Sequence, residues 1–310
     1  MTSSSQPVPS QTSDLSRVLG TFAGTRAASR AESWQQLYVL DGILEAAEWA
    51  AQGVGADDVA CAWLGALRWV RAMDGQLPDG APEPPSREFA SACAESARAA
   101  GPGDQQNLIG LRSPEMSQPR RPFNRPAATV PELASTDGTG VLARAAAIGL
   151  LAHAHEEDVR RLASWTAAFS HGSPAAHEAA ADAASLLYLL TRSGALPDDA
   201  VRLLESVAGA ATDSPEPRSA VGPFETAREG LTAALHAARP VLTGAFGTED
   251  WAGIEALARR DGGAGAYAGA LVGAVLGAER LAEVSGQPTA DVLGDPTVRL
   301  AEAFTAATLG

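Results

Sequence analysis

The sequence contains no lysine, and all 23 of its basic residues are arginine. This absence excludes a phosphate-binding loop with its lysine, a Schiff-base mechanism and a lysine general base. Acidic residues outnumber basic ones and give a net charge of -14. Such a charge argues against sequence-independent binding to nucleic acid or to an anionic membrane, and it is sufficiently explained by solubility. We therefore expect neither a nucleic-acid partner nor a membrane partner.

Aromatic residues, cysteines and long apolar runs are also scarce. Only 5% of the residues are aromatic, and alanine makes up much of the 45% that are hydrophobic, so we expect an all-α core of close helix contacts around small side chains. Cys61 and Cys93 have no nearby ligand partner in the sequence, which favours buried thiols over metal ligands.

The sequence also lacks a recognisable targeting segment. Residues 1–12 are polar and have no apolar core, so we interpret them as a disordered tail and not as a signal peptide. No apolar run reaches the length needed to cross a membrane without a charge or a helix breaker. The expected location is the cytoplasm.

Helical periodicity recurs along the whole chain, whereas alternating strand patterns are nearly absent. The first helix is predicted from Asp14 to about Ala31, and Ser33 is a plausible N-cap of a second helix from Trp34 to about Gln52. Further helices are predicted at residues 58–70, 87–99, 138–153, 156–169, 174–192, 197–211, 224–238, 249–259, 265–284 and 296–308. The pattern predicts one all-α domain over residues 13–310.

Two segments lack helical periodicity and are rich in residues that interrupt helices. Proline and glycine in DGQLPDGAPEPP, residues 74–85, predict a loop. Residues 101–136 contain proline, glycine, arginine and asparagine, and we interpret them as a long loop that forms a lid or a rim.

Three glycines late in the chain, Gly269, Gly273 and Gly277, are spaced four residues apart in GALVGAVLGA. This spacing places them near one another on a helix. In a soluble protein it indicates that the helix packs closely against another, and a membrane dimer motif is improbable.

Several segments occur in an order that resembles the ADP-ribosylglycohydrolase family. The segment TGVLARAAAIGLLAHAHEEDVRRLASWTAAFSHGSPAAHEAAADAASLLYLL, residues 139–190, is similar to three consecutive family helices, with Arg144, Ser170 and His171 at matching places. RVLGTFAG, residues 17–24, resembles the first family helix, and GAGAYAGALVGAVLGA, residues 263–278, resembles a late one. The resemblance implies a single-domain, orthogonal bundle of many helices.

The resemblance also implies an activity and a metal centre. Members cleave the glycosidic bond that joins ADP-ribose to a protein side chain, and they use two Mg²⁺ or Mn²⁺ ions held by clustered aspartates. Several carboxylates are needed because Mg²⁺ gives up its water only for strongly anionic oxygen ligands.

The matching positions in this chain have lost most of those aspartates. The Thr-Asp-Asp-Thr set is replaced by Gln35, Gln36, Leu37 and Tyr38. The late aspartates are replaced by Arg260 and Gly262, with Asp261 between them, and the Gly-Asp-Ala after the first helix is replaced by residues 28–30. A single remaining carboxylate does not hold two cations, so we predict that the dinuclear centre is lost and expect no metal or other cofactor.

The residues around the altered positions suggest acid/base chemistry in the same cavity. Burial would raise the pKa of Asp41 and suit it to act as the general acid/base, although a solvent-facing or capping role is an alternative. Tyr38, Gln35 and Gln36 are candidates to orient a polar ligand. Structural hydrogen bonds that fill the altered site would explain these three residues equally well.

The remaining candidates are substrate-binding residues. Arg144 lies on an otherwise apolar helix, where a buried guanidinium has to meet either a carboxylate or an anionic ligand. Arg260 would place positive charge where relatives hold cations, and His171 either lines the site or interacts with the end of a helix. Trp34, Asp261 and Tyr267 complete this predicted set.

Three functions remain open at this point. The first is a metal-independent enzyme that performs glycosidic cleavage, elimination, addition or cyclisation on a small polar molecule, as in specialised metabolism. The second is a pseudoenzyme that binds ADP-ribose, a nucleotide or a protein partner, and the third is a residual Mg²⁺-dependent ADP-ribosyl hydrolase. The sequence does not indicate the oligomeric state.

Overall fold

The computed structural model describes residues 14–113, 132–151, 154–193, 222–242 and 246–309. These ranges contain thirteen α-helices and no β-strand, which confirms the predicted all-α fold. The helices are α1 (Asp14–Ala28), α2 (Arg30–Ala51), α3 (Asp58–Asp74), α4 (Glu88–Ala100), α5 (Gln105–Arg112), α6 (Gly140–Ile148), α7 (Glu156–Ala167), α8 (Pro174–Ser193), α9 (Ala227–Leu242), α10 (Thr248–Arg260), α11 (Gly262–Ser285), α12 (Thr289–Leu293) and α13 (Asp295–Leu309).

Some sequence predictions fall outside the described ranges. They are the tail at residues 1–12, the helix at residues 197–211 and most of the segment at residues 101–136. Within the described part of that last segment, residues 105–112 form a helix where the sequence predicted a loop. Helix α5 begins after Asp104, whose side chain accepts a hydrogen bond from the backbone of Gln106 at 2.9 Å and so caps the helix.

The predicted start of the second helix is wrong by four residues. Helix α2 begins at Arg30, with Ser29 as its N-cap. Ser33 lies inside the first turn, where its hydroxyl donates a hydrogen bond to the carbonyl of Arg30 at 2.8 Å. The Ser29 side chain makes no capping hydrogen bond, so the start of the helix is not marked by the serine signal that the prediction used.

Helices α1 and α11 pack along each other through four glycines, Gly20, Gly24, Gly269 and Gly273, which we call the glycine interface. An added Cβ at Gly24 would lie 2.0 Å from the backbone oxygen of Gly269, and one at Gly273 would lie 1.8 Å from that of Gly20. The two backbones are therefore in direct contact. This confirms the close packing predicted from the glycine spacing.

Helix α2 lies at the centre of the fold, where it packs against α1, α3, α6 and α13. Its residues from Glu32 to Ala46 are all buried, so polar side chains enter the interior on several faces of one helix. The predicted burial of Cys61 and Cys93 is confirmed, and burial raises the pKa of each thiol to about 11. No helix within the described ranges has the length and apolar character needed to cross a membrane.

Candidate functional site

A group of polar side chains lies where the ends of several helices meet, and all of them are buried except the partly exposed Asp104; we call this group the polar cluster. It draws on α2, on the N-terminal cap of α5, on α6 and on the turn between α7 and α8. Its members are Glu32, Gln35, Gln36, Asp104, Arg144, Ser170 and His171.

Asp104 connects three of these elements. Its carboxylate accepts hydrogen bonds from the backbone N–H of Gln106 at 2.9 Å and of Gly140 at 3.0 Å. Its own N–H donates to Oε1 of Glu32 at 2.6 Å. Burial by itself would raise the pKa of Asp104, but the two backbone N–H donors stabilise its ionised form, and the pKa is lowered. Asp104 is therefore the ionised member of the pair.

The pKa of Glu32 is shifted in the opposite direction to that of Asp104. It is 3% exposed, and Oε2 has no hydrogen-bond partner. Burial, followed by the nearby charge of Asp104, raises the pKa of Glu32 to about 8. At neutral pH Glu32 is a protonated acid beside an ionised one, and such a separation of pKa values characterises acid/base pairs in enzymes.

Arg144 is fully buried, and burial lowers its pKa to about 10. One terminal nitrogen donates to the hydroxyl of Ser170 at 2.8 Å, whereas Nε and Nη1 have no hydrogen-bond partner. The charges of Asp104 and Glu32 act on the guanidinium. A buried guanidinium with two unsatisfied nitrogens is costly, so its free donors point to an acceptor on a ligand.

Gln35 and Gln36 follow Glu32 by three and four residues and hence share its face of α2. Both are buried, and no atom of either amide has a hydrogen-bond partner. The prediction that these residues orient a polar ligand is consistent with this placement. Structural hydrogen bonds, the alternative explanation, are absent for both side chains within the described residues.

The residues at the predicted metal positions do not fit two divalent cations. The amides of Gln35 and Gln36 carry no charge. Oδ1 of Asp261 accepts from Thr139 Oγ1 at 2.7 Å and from the N–H of Ala264 at 2.9 Å, and Oδ2 accepts from the N–H of Phe224 at 3.0 Å. Asp261 is thus an N-cap of α11 with both oxygens bonded. Across the described ranges, no three His, Cys, Asp or Glu side chains are placed to share a metal ion.

Tyr38 and Asp41 lie on the other side of α2, which corrects the expectation that they share a cavity with Gln36. At about 100° per residue, Asp41 is turned about 140° from Gln36. Its Oδ1 accepts from Arg87 at 2.7 Å, and its Oδ2 lies 3.8 Å from Arg68. Asp41 lines a separate cavity of about 360 Å³ that is bounded by α2, α13 and the start of α4.

Three further predicted residues have structural contacts of their own. The guanidinium of Arg26 stacks on Trp34, 3.9 Å from the ring centre, and the hydroxyl of Tyr267 donates to the carbonyl of Ala183 at 2.6 Å. Arg260 donates to the carbonyl of Gly222 at 2.8 Å and stacks on the ring of Phe224. Of the predicted residues, Gln35, Gln36, Arg144 and His171 belong to the polar cluster.

Sequence reasoning missed the two carboxyl groups of the polar cluster. Glu32 was missed because the predicted helix began at Trp34; in the observed helix, which begins at Arg30, Glu32 lies four residues before Gln36 and shares its face. Asp104 was hidden in a segment interpreted as a loop, although an aspartate before QQN is a reasonable N-cap signal.

Replacement of Tyr38 by phenylalanine tests whether this hydroxyl is catalytic or structural. It donates to the carbonyl of Ala90 at 3.0 Å, and the ring packs edge-on against Phe89. We expect Tyr38→Phe to lower the free energy of unfolding by about 1 kcal/mol, the value of one hydrogen bond, and to leave turnover unchanged. Urea unfolding and a turnover assay measure both effects. A loss of turnover without a loss of stability would show that the Tyr38 hydroxyl acts in the reaction.

Comparison with known proteins identifies a family whose model spans the whole polar cluster. A family model described as ADP-ribosylglycohydrolase matches residues 5–309, nearly the whole chain. A search of curated proteins finds no match. The match covers every helix that contributes to the cluster.

Proposed function

Because the chain belongs to the ADP-ribosylglycohydrolase family, we propose that the polar cluster is the active site of a metal-independent acid/base enzyme. Its reaction is the cleavage of a glycosidic bond in a polar substrate, and the family match makes ADP-ribose joined to a protein side chain the first substrate to test. The observation that carries this proposal is the hydrogen bond from the backbone N–H of Asp104 to Oε1 of Glu32, which makes neighbours of two acidic residues whose pKa values are shifted in opposite directions. Paired carboxyl groups with separated pKa values are the usual machinery of glycoside hydrolysis.

Each member of the cluster then has a role. Protonated Glu32 donates its proton to the leaving group as the glycosidic bond breaks. Ionised Asp104 stabilises the positive charge that develops on the sugar ring. The amides of Gln35 and Gln36 bind substrate hydroxyls, and the free nitrogens of Arg144 bind an anionic or carbonyl oxygen.

The experiment measures ADP-ribose release from ADP-ribosylated proteins with EDTA present throughout. We expect release by the wild-type chain and a loss of about 100-fold or more in kcat for Glu32→Gln, since the amide cannot donate a carboxyl proton. Glu95→Gln is the matched control, because Glu95 is exposed on α4. Full activity in Glu32→Gln would refute the proposed role of Glu32. Release that EDTA abolishes would instead support a residual Mg²⁺-dependent hydrolase.

A binding protein without catalysis is the second candidate function. It is favoured by the unpartnered amides of Gln35 and Gln36, which can bind a polar ligand without any proton transfer. Calorimetry with ADP-ribose separates the two functions. Tight binding without release from any ADP-ribosylated protein supports this candidate, and we then expect the double variant Gln35→Ala/Gln36→Ala to weaken binding at least about tenfold.

A further inference from the structure

The hydrogen bonds around Ser170 fix the position of the proton on the His171 ring. Ser170 Oγ accepts from Arg144 at 2.8 Å and donates to Oδ1 of Asn107 at 3.0 Å. The amide of Asn107 cannot be reversed, because its nitrogen donates to the carbonyl of Gly140 at 3.3 Å. The single proton of the hydroxyl is therefore used, and one lone pair remains.

Nδ1 of His171 lies 2.9 Å from Oγ of Ser170, where only that lone pair is available to it. It must donate, so the neutral ring carries its proton on Nδ1 and leaves Nε2 as an acceptor. Nε2 has no hydrogen-bond partner and lies 3.7 Å from Oδ2 of Asp104, too far for a direct hydrogen bond. Two acceptors thus face each other, one on the buried His171 ring and one on the Asp104 side chain, which is 23% exposed. Oδ2 already accepts from the N–H of Gly140 at 3.0 Å and has a further lone pair, so a donor between the two atoms can bond to both.

Gly138 borders the same gap. A Cβ built on Gly138 would lie 3.0 Å from Nε2 of His171 and 3.2 Å from Oδ2 of Asp104. Gly138 does not have a positive φ, so its backbone does not require glycine. The lack of a side chain at this position keeps both acceptor atoms accessible, which is a second indication of a binding site.

We propose that His171 Nε2 and Asp104 Oδ2 together bind a hydrogen-bond donor, and that this donor is the attacking water of the reaction. The inference rests on the proposed function, which assigned no group to activate water. His171 is then the general base, in addition to the acid Glu32. Activation by a histidine and a carboxylate would take over the task that a pair of cations performs elsewhere in the family.

The proposed step balances as a simple hydrolysis. Water donates a hydrogen bond to Asp104 Oδ2 through the hydrogen that it keeps and transfers its other proton to His171 Nε2, while its oxygen forms a bond to the anomeric carbon. The bond from that carbon to the leaving atom breaks, and its electron pair stays on the leaving atom, which takes the proton of Glu32. The histidine ends protonated and Glu32 ionised, and exchange with solvent water restores both.

The charges around His171 are compatible with a base. Burial lowers the pKa of the imidazole most, and the cation of Arg144 lowers it further, whereas Asp104 and Asp137 raise it. The pKa of His171 remains below its usual value, so the ring is neutral at pH 7 and Nε2 is free to accept. The imidazolium that forms during the step is stabilised by ionised Asp104.

Nitrogen NMR of the full chain tests the site without any substrate. The chain has five histidines, so the His171 ring is assigned by comparison with His171→Gln. We expect the Nδ1–H tautomer, together with a change in the Nε2 shift in Gly138→Ala. The Nε2–H tautomer would overturn the inference, because His171 would then simply donate to Asp104.

A kinetic test uses Gly138→Ala, which places a methyl group 3.0 Å from Nε2 of His171 and 3.2 Å from Oδ2 of Asp104 and changes neither residue chemically. We expect kcat to fall at least about tenfold and KM to stay within about twofold, and His171→Gln to lose about 100-fold, within the range of general base catalysis. Gly253→Ala is the control, since nothing lies within 4 Å of the added Cβ. Wild-type kcat in Gly138→Ala would overturn the assigned water site. If no substrate is cleaved but the Nδ1–H tautomer is found, the donor site is supported and the proposed enzyme activity is refuted.

Discussion

Replacement of Glu32 by glutamine is expected to make the protein more stable at pH 9 and to leave its stability nearly unchanged at pH 4. The pKa of Glu32 is about 8 in the folded state, against an ordinary value of 4.5 for a glutamate exposed to water. The stability linked to the protonated carboxyl is fully present below pH 4.5 and is lost as the pH rises to about 8. At about 1.4 kcal/mol per pKa unit, the loss is on the order of 5 kcal/mol.

Glutamine keeps the contact and removes the charge. Its carbonyl oxygen can accept the hydrogen bond that the N–H of Asp104 donates to Glu32, and its size is the same. The measurement is the free energy of unfolding in urea, taken at several pH values between 4 and 9 for the wild type, Glu32→Gln and the exposed control Glu95→Gln. We expect the first two curves to diverge steadily above pH 5. Parallel curves would show that Glu32 is ionised in the folded protein.

The same substitution would then raise stability and abolish turnover. A residue that costs several kcal/mol at alkaline pH is retained more easily if its proton is used, and stability is often lowered at active sites for this reason. The unsatisfied nitrogens of Arg144 and the amides of Gln35 and Gln36 add to the same pattern. The polar cluster thus lowers the free energy of unfolding, and its unpartnered groups are available to bind a ligand.

The sequence predicted the helices better than it predicted which polar residues share a face. The all-α fold and the contact at Gly269 and Gly273 follow from periodicity and glycine spacing, and both are confirmed. The same periodicity should have separated Asp41 from Gln36, because five residues turn a helix by about 140° beyond one full turn. The prediction placed Asp41 and Gln36 in one cavity because they are close in the sequence. Closeness in the sequence does not put two residues on the same face of a helix.

Two other features of the site depend on tertiary structure. Helix α5 has only eight residues, too short to be stable alone, so its formation depends on packing and on the cap at Asp104. The gap between His171 and Asp104 joins residues that are far apart in the chain and is bordered by Gly138. No pattern in a single sequence indicates that these three residues meet.

The glycine interface leads to the second large expected effect. In Gly273→Ala the new Cβ would lie 1.8 Å from the backbone oxygen of Gly20 and 2.4 Å from its carbonyl carbon. A backbone cannot rotate away as a flexible side chain can, so α1 and α11 have to separate along their whole contact. Overpacking of this kind costs on the order of 3 kcal/mol, more than the roughly 1 kcal/mol that alanine gains over glycine inside a helix.

Gly253→Ala separates the gain in helix propensity from the cost of overpacking. Gly253 is exposed inside α10, and nothing lies within 4 Å of an added Cβ, so this variant reports helix propensity alone. We expect it to raise the free energy of unfolding by about 0.5–1 kcal/mol, whereas Gly273→Ala lowers it by about 3 kcal/mol. Urea unfolding at pH 5, where little of the stability linked to protonated Glu32 has been lost, measures both effects. Equal stability of the two variants would mean that α1 and α11 lie farther apart than the described contact, and the direct backbone packing inferred from the glycine spacing would be wrong.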